Sequence, residues 1–150
     1  MGLLNDIGAG PVALDAGPLI YFIERHPRYL PIVRPVFVAI NDGGLAAVTS
    51  GISLLETLVV PLRAANHALA NRYEALLTRS RGLRLIHVDL DQLRGAAQLR
   101  AQSRLKTPDA LQLAAALSAG CTALVTNDDR LPSFPGLRVL QLEAYLDPAA

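Results

Sequence analysis

Short apolar runs alternate with longer segments of helical period along the whole chain. Five runs predict β-strands at residues 12–15, 45–49, 83–88, 122–126 and 137–142. These runs lack the alternation of polar and apolar residues that marks a half-exposed strand. The pattern is therefore typical of strands in a parallel sheet that is covered on both faces.

The intervening segments carry apolar residues at helical spacing and predict six helices, at residues 18–26, 32–42, 50–60, 65–80, 91–106 and 108–120. Pro35 predicts a break or kink in the second helix, and Pro61 predicts the end of the third. Arg100 and Arg104 would lie one turn apart on one face of the fifth helix. Strands that alternate with helices predict an α/β fold, a three-layer α/β/α sandwich with a central parallel sheet.

Composition fits one soluble domain over residues 1–150, in which residues 1–10 could be a flexible leader and residues 143–150 a C-terminal tail. The chain has 150 residues and is 51% hydrophobic, which suffices for a sizeable core. No apolar run approaches the roughly 18–20 residues of a membrane span, and residues 1–10 lack the features of a signal peptide. The single cysteine, Cys121, excludes an internal disulfide. We therefore expect a cytoplasmic protein that is not bound to a membrane.

Acidic residues recur where the predicted strands end. Asp15 is the last residue of the first strand, and Asp128 and Asp129 directly follow the fourth. Glu56 lies about two turns into the helix after the second strand, and Asp109 opens the helix that leads into the fourth. Ligands of open parallel sheets bind beyond the carboxyl ends of the strands, near the point where strand order reverses. We therefore expect these carboxylates to reach one edge of the sheet.

Clustered carboxylates repel one another and resist ionisation unless a hard divalent cation neutralises them. No histidine or cysteine lies at ligand spacing, so an oxygen-only set favours Mg²⁺ or Mn²⁺ over Zn²⁺. Such an ion can activate water against a phosphodiester and stabilise the leaving oxygen. The acids thus predict metal-dependent hydrolysis of a phosphate ester.

Each acid also has a purely structural interpretation. Thr107 as N-cap and Pro108 at the first helical position would make Asp109 a favourable first-turn acid. Ser53 and Glu56 fit the S-x-x-E capping box. Taken singly, such explanations are sufficient. The common position of the acids at one sheet edge is what favours a functional site.

Four blocks of sequence together resemble a known family. The blocks are LDAGPLIYFIE (14–24), TSGISLLETL (49–58), RLKTPDALQLAAALSAG (104–120) and LVTNDDRL (124–131). In this order and spacing they resemble the PIN-domain ribonucleases, and most closely the toxin half of bacterial VapBC toxin–antitoxin pairs. The resemblance extends from about residue 11 to residue 142.

The resemblance implies a Mg²⁺- or Mn²⁺-dependent endoribonuclease with four catalytic, metal-binding acids. Asp15 and Asp109 would be the most direct ligands, while Glu56 and Asp128 would bind a second ion or act through water. The T-N-D frame favours Asp128 over Asp129 as the fourth acid. This chain departs from the family pattern two residues after the first acid, where Gly17 replaces a polar side chain.

The resemblance also implies partners: an RNA substrate, a cognate antitoxin and a second copy of the chain in a homodimer. The first two helices carry more apolar surface than one sheet face can cover. Core packing is its primary explanation, and the resemblance implies that dimerisation and antitoxin docking use the excess. Thr126 and Asn127 could support the substrate or simply form a turn, and Arg100 and Arg104 could bind RNA phosphates or be solvated. The alternative function is a PIN-fold scaffold that binds RNA or protein without cutting.

Overall fold

A computed structural model describes residues 2–147 and contains a five-stranded, wholly parallel sheet. The strands are β1 (Val12–Leu14), β2 (Ala47–Ser50), β3 (Leu83–Ile86), β4 (Ala123–Thr126) and β5 (Arg138–Gln141). Their order across the sheet is β3-β2-β1-β4-β5, which places the short β1 at the centre. All five strands lie within two residues of the predicted ends, so the sequence prediction of a parallel sheet is confirmed.

Seven α-helices connect and cover the strands in the described part of the chain. They are α1 (Leu3–Ile7), α2 (Ala16–Ile23), α3 (Leu30–Asn41), α4 (Ile52–Arg63), α5 (His67–Arg79), α6 (Leu90–Ala101) and α7 (Thr107–Ser118). A short 3-10 helix, Leu142–Tyr145, follows β5. The six predicted helices are therefore present, and α1 is an addition within the predicted leader. Residue 1 of that leader and residues 148–150 of the predicted tail lie outside the described residues.

Both faces of the sheet are buried, as the uniformly apolar strands predicted. Val12 and Leu14 of β1 point into a core formed with α1, α2, α3 and α5. The intervening Ala13 points to the opposite core, which α6 and α7 cover. Full burial of a leucine such as Leu14, which is 1% exposed, stabilises the fold by about 1.5–3 kcal/mol. The three-layer α/β/α sandwich is thus confirmed.

The prediction that Pro61 ends the third helix is wrong, because α4 continues through Pro61 to Arg63. Helix α3 does not break at Pro35. A proline removes one hydrogen bond from the helical ladder and crowds the carbonyl four residues before it, but the helix can continue on the hydrogen bonds of its other residues. The backbone carbonyl of Pro61 accepts a hydrogen bond from Asn66 N at 2.8 Å, which closes the last turn of α4.

The fifth predicted helix ends earlier than its pattern suggested. Helix α6 stops at Ala101, and the hydroxyl of Ser103 donates to the carbonyl of Leu99 at 2.6 Å. This local bond competes with continuation of the backbone ladder. Arg104 therefore lies in the connection to α7, and the prediction that Arg100 and Arg104 share one helix face is wrong.

Helix α4 exposes more large apolar side chains than any other described helix. In the first two predicted helices Leu19, Val33 and Phe37 are buried, as core packing predicts. The side chains of Ile20, Phe22 and Ile23 are only partly buried. Helix α4 instead exposes Leu55, Val59, Val60 and Leu62. Among residues 2–147, no helix is long and apolar enough to cross a membrane.

Substitution of Gly82 tests the close approach of the β3 entry to α3. Gly82 has φ +86°, and an added Cβ would lie 2.5 Å from the carbonyl oxygen of Ile40. Gly43 is a matched control, because its φ is +82° but no atom lies within 4 Å of an added Cβ. We expect Gly82→Ala to lower the free energy of unfolding by about 2–5 kcal/mol and Gly43→Ala by about 1–2 kcal/mol in urea titrations. Equal losses would contradict the close contact.

Candidate metal centre

Strand order reverses between β1 and β4, and the candidate site lies at the carboxyl ends of these two strands. From β1 the sheet grows to β2 and β3 on one side, and from β4 to β5 on the other. Asp15 directly follows β1, and Asp128 lies two residues after β4. This is the position at which ligands of open parallel sheets bind.

Asp15 is held by two hydrogen bonds that use both of its carboxylate oxygens. Its Oδ1 accepts from the backbone N–H of Ala16 at 2.7 Å, so Asp15 is the N-cap of α2. Its Oδ2 accepts from the Thr126 hydroxyl at 2.7 Å. Burial raises the pKa of Asp15, and these two hydrogen bonds oppose the increase while the nearby charge of Asp128 adds to it. Thr126, the last residue of β4, therefore helps to hold the Asp15 carboxylate in place.

Asp109 lies in the first turn of α7 and is 7% exposed. The N-cap of this helix is Lys106, which makes no side-chain capping bond, so the prediction of Thr107 as N-cap is wrong. The hydroxyl of Thr107 instead accepts a hydrogen bond from Arg100 Nη1 at 3.0 Å. Burial raises the pKa of Asp109, and repulsion from Asp128 raises it further.

Glu56 projects from α4, and the capping-box prediction for this segment is wrong. The helix begins after Gly51, so Ser53 lies inside it. The Ser53 hydroxyl pairs with the Thr49 hydroxyl at 2.7 Å and accepts from Gln112 Nε2 at 2.7 Å. These buried bonds fix α4 against β2 and α7, which determines where Glu56 points.

The carboxylate of Glu56 is incompletely satisfied. Its Oε1 is buried, and no described residue donates a hydrogen bond to it. Burial raises the pKa of Glu56, repulsion from Asp15 adds to the increase, and the amide of Gln112 opposes it. A buried carboxylate oxygen without a donor costs free energy, which a bound cation would recover.

Asp128 differs from the other acids because it already has a cationic partner. Arg130 donates to it from Nε at 2.9 Å and from Nη2 at 2.8 Å, a bidentate ion pair. This pairing lowers the pKa of Asp128 to about 2. Asp129 is exposed and does not line the site, so the geometry favours Asp128 as the fourth acid.

One small cleft of about 120 Å³ is lined by all four predicted acids together with Lys106, Pro108 and Arg130. The structure therefore brings together Asp15, Glu56, Asp109 and Asp128 from four separate segments. A second cleft of about 340 Å³ adjoins it and is lined by Arg104, Lys106, Asp109 and Arg130, among others. The acids thus lie beside a basic surface.

Sequence comparison identifies the family to which this site belongs. Residues 12–137 match the sequence model of the PIN domain. The chain belongs to the PIN domain family. The matched range contains all four acids of the cleft, and the resemblance to PIN domains is confirmed.

Solved structures with a similar fold come from toxin–antitoxin systems. A toxin–antitoxin complex from Klebsiella pneumoniae is 21% identical, with a TM-score of 0.63 over 87% of this chain and 97% of that chain. VapC20 of Mycobacterium tuberculosis, a sarcin-ricin loop cleaving toxin, is 17% identical, with a TM-score of 0.62 over 75% and 86%. VapBC2 from Rickettsia felis, bound to a promoter DNA fragment, is 17% identical, with a TM-score of 0.64 over 87% and 97%. No curated protein sequence matches the chain. At these identities the similarity concerns the fold.

Three of the four predicted substrate residues of this PIN domain make side-chain hydrogen bonds within the chain, and one of them is the bond from Thr126 to Asp15. The Asn127 amide donates to the Tyr21 hydroxyl at 3.2 Å and accepts from Glu143 N at 3.2 Å. Arg100 Nε donates to the carbonyl of Leu105 at 3.0 Å, in addition to the bond from Nη1 to Thr107. These contacts shape the loops around the cleft.

The sequence interpretation missed Arg130 and Gln112 as parts of the site. The signal for Arg130 was the short Asp-x-Arg spacing in TNDDR, which allows the arginine to fold back onto the acid. The signal for Gln112 was a lone polar residue in the apolar run ALQLAAA, and it is 2% exposed. A buried amide needs partners, so its position predicts a polar contact inside the core.

The donor set of the cleft fits a hard divalent cation. Its potential ligands are carboxylate oxygens, and Glu56 Oε1 still lacks a donor among the described residues. Within residues 2–147, no three acidic, histidine or cysteine side chains already converge on one ligand position. Binding of an ion by three of these side chains would thus require them to move towards one another.

The raised pKa values predict how the metal-free protein responds to pH. A carboxyl whose pKa is raised in the folded state retains its proton longer than in the unfolded chain. Its contribution to stability is therefore full below its ordinary pKa, which is 4.5 for Glu56, and is lost as pH rises through the folded value.

We expect Glu56→Gln to raise the melting temperature of the metal-free protein at neutral pH by more than it does near pH 5. Each kcal/mol corresponds to about 2–4 °C in a domain of this size. The measurement is differential scanning fluorimetry in EDTA at both pH values, with Glu74→Gln on the exposed face of α5 as the control. If Glu56→Gln changed the melting temperature equally at both pH values, and by no more than the control, Glu56 would not be repelled by the other acids.

Proposed function

We propose that this PIN domain is a Mg²⁺- or Mn²⁺-dependent endoribonuclease. The observation that supports the proposal most strongly is the convergence of Asp15, Glu56, Asp109 and Asp128 on one cleft at the switch point of the sheet. Three of these acids have raised pKa values, caused first by burial and then by mutual repulsion. Such a cluster is costly unless it binds positive charge.

In the proposed site Asp15 and Asp109 are the most direct ligands, and Glu56 and Asp128 complete the site. A bound Mg²⁺ or Mn²⁺ would lower the pKa of a nearby water and stabilise the leaving oxygen of a phosphodiester. The N–H of Ala16 and the hydroxyl of Thr126 favour the ionised form of Asp15 and hold its carboxylate in place at the cleft.

Residues of the adjoining basic cleft would position the RNA. Lys106 lies at the junction of the two clefts, and Arg104 lines the second cleft. Both side chains are exposed, so they can contact phosphate oxygens of a bound strand. Phosphate contacts of this kind fix the position of the backbone without reading its sequence.

We further propose that the protein is the toxin of a VapBC-type toxin–antitoxin pair in the cytoplasm, with a cognate antitoxin and a homodimeric state. The similarity in fold to complexes of this class supports the proposal, and the sarcin-ricin loop cleaving toxin among them supports an RNA substrate. The exposed apolar residues of α4 offer additional surface for a protein partner.

A non-catalytic PIN scaffold is the second candidate function. It is favoured by the bidentate contact of Arg130 with Asp128, which engages the fourth acid. The polar side chain common at position 17 is also absent, since the residue there is glycine. A scaffold would bind RNA or protein through the same surfaces but would not cut.

Cleavage by an Asp15→Asn variant distinguishes these two functions. The substitution retains the size of the side chain but removes its charge, so it should weaken binding of the cation. Removal of a residue that hydrogen-bonds to a metal ligand typically lowers metal affinity or activity about 10–100-fold. Removal of the ligand itself should lower them at least as much.

The measurement is cleavage of cellular RNA with Mg²⁺, with Mn²⁺ and with EDTA. The control is Asp91→Asn, whose carboxylate lies exposed on α6 with a side-chain exposure of 89%. We expect wild type and the control to cut only with metal. Metal-independent cleavage, or full cleavage by folded Asp15→Asn, would refute the assignment.

A further inference from the structure

Arg130 places a cation of the protein itself at the acidic cleft. Its Nε and Nη2 contact the two carboxylate oxygens of Asp128, at 2.9 and 2.8 Å. Its backbone N–H donates to Oδ1 of the same carboxylate at 3.0 Å. Asp128 thus receives three hydrogen bonds from one residue, and both of its oxygens are engaged.

This contact opposes the use of Asp128 as a ligand. A carboxylate held bidentately by a guanidinium presents its best lone pairs to the arginine rather than to the centre of the cleft. A metal ion and Arg130 therefore compete for the same oxygens.

The same guanidinium can reach a second anionic partner. Arg130 lines both the acidic cleft and the adjoining basic cleft, where it lies beside Arg104 and Lys106. Its side chain is 57% exposed, while that of Asp128 is 22% exposed. A phosphate group in the basic cleft would approach the open side of the guanidinium, and its oxygens match the arginine fork as well as a carboxylate does.

We propose that Arg130 is an exchangeable cation that couples RNA binding to metal binding. In the free protein Arg130 pairs with Asp128 and keeps the fourth acid from the cation. When RNA is bound, the guanidinium contacts a phosphate, and the released Asp128 carboxylate completes the ion site. Substrate and metal thereby strengthen each other's binding, as coupled equilibria require. This inference rests on the proposed ribonuclease function.

The exchange replaces one charge-assisted contact of the guanidinium by another, because phosphate oxygens match the arginine fork as carboxylate oxygens do. Asp128 also stays anchored after release, since its backbone N–H donates to the Thr126 hydroxyl at 3.0 Å and its carbonyl accepts from Gln141 Nε2 at 2.9 Å. The backbone therefore holds the carboxylate near the cleft while its partner changes.

Arg130→Ala tests the inference through two binding measurements that do not depend on catalysis. Affinity for Mn²⁺ is measured by electron paramagnetic resonance on the RNA-free protein, and affinity for a labelled single-stranded RNA is measured by anisotropy in EDTA. We expect Mn²⁺ affinity to rise about 3–10-fold, because Asp128 is freed, and RNA affinity to fall about 10-fold, because a phosphate contact is lost. A residue that only stabilised the turn would change neither affinity in this opposed way.

A double-mutant cycle with Asp128→Asn separates competition from the general removal of positive charge. Arg104→Ala removes a positive charge from the adjoining basic cleft but no contact with Asp128. It should therefore change Mn²⁺ affinity less than Arg130→Ala does. In the Asp128→Asn background, the additional Arg130→Ala change should no longer raise Mn²⁺ affinity beyond the Arg104→Ala effect. Thermal melting checks that each variant is folded.

The outcomes distinguish this inference from the function on which it rests. If wild type binds Mn²⁺ and cuts RNA while Arg130→Ala leaves Mn²⁺ affinity unchanged or lower, the exchange is refuted and the ribonuclease stands. An equal gain in Mn²⁺ affinity with and without the Asp128 carboxylate also refutes it. If wild type neither binds Mn²⁺ nor cuts RNA, both proposals fail.

Discussion

Repulsion among carboxylates at the central edge of the sheet is the constraint on which the site depends. Four acids from four segments line one cleft of about 120 Å³, and burial disfavours their charged forms. Their closest contacts supply partial positive charge: a helix N-terminus and a hydroxyl for Asp15, the first turn of α7 for Asp109, and a guanidinium for Asp128. Glu56 retains an unpaired oxygen. This pattern supports the proposal that the cleft binds a cation.

A buried polar network holds the segments that carry these acids. The Thr49 hydroxyl donates to the carbonyl of Leu14 at 2.7 Å and pairs with Ser53, which in turn accepts from Gln112. The network links β1, β2, α4 and α7 directly beneath the cleft. Buried polar groups are costly unless all are satisfied, so a complete network favours one arrangement of these elements over alternatives. In this way the core fixes the geometry of the site.

The sequence predicted most of the fold and the acids, because both depend on patterns that are local. Apolar runs and helical periods located five strands and six helices, and the ends of the first and fourth strands located Asp15 and Asp128. Contacts between distant residues were not predictable in this way. Ser53 matched a capping box, but its hydroxyl is used by Thr49 and Gln112 in tertiary contacts. Arg104 followed a helical pattern that the Ser103 hydroxyl ends early. Local propensity cannot anticipate such competition.

The central claim is that the four carboxylates form a divalent cation site, and anomalous diffraction from crystals grown with Mn²⁺ tests it most directly. A cation site at these acids should give a manganese peak within about 2.0–2.3 Å of carboxylate oxygens of both Asp15 and Asp109, the range of oxygen ligands to small divalent ions. Asp15→Asn crystals should lose the peak under the same conditions. A wild-type map without manganese between these two carboxylates at millimolar Mn²⁺ would show that the acids do not form such a site.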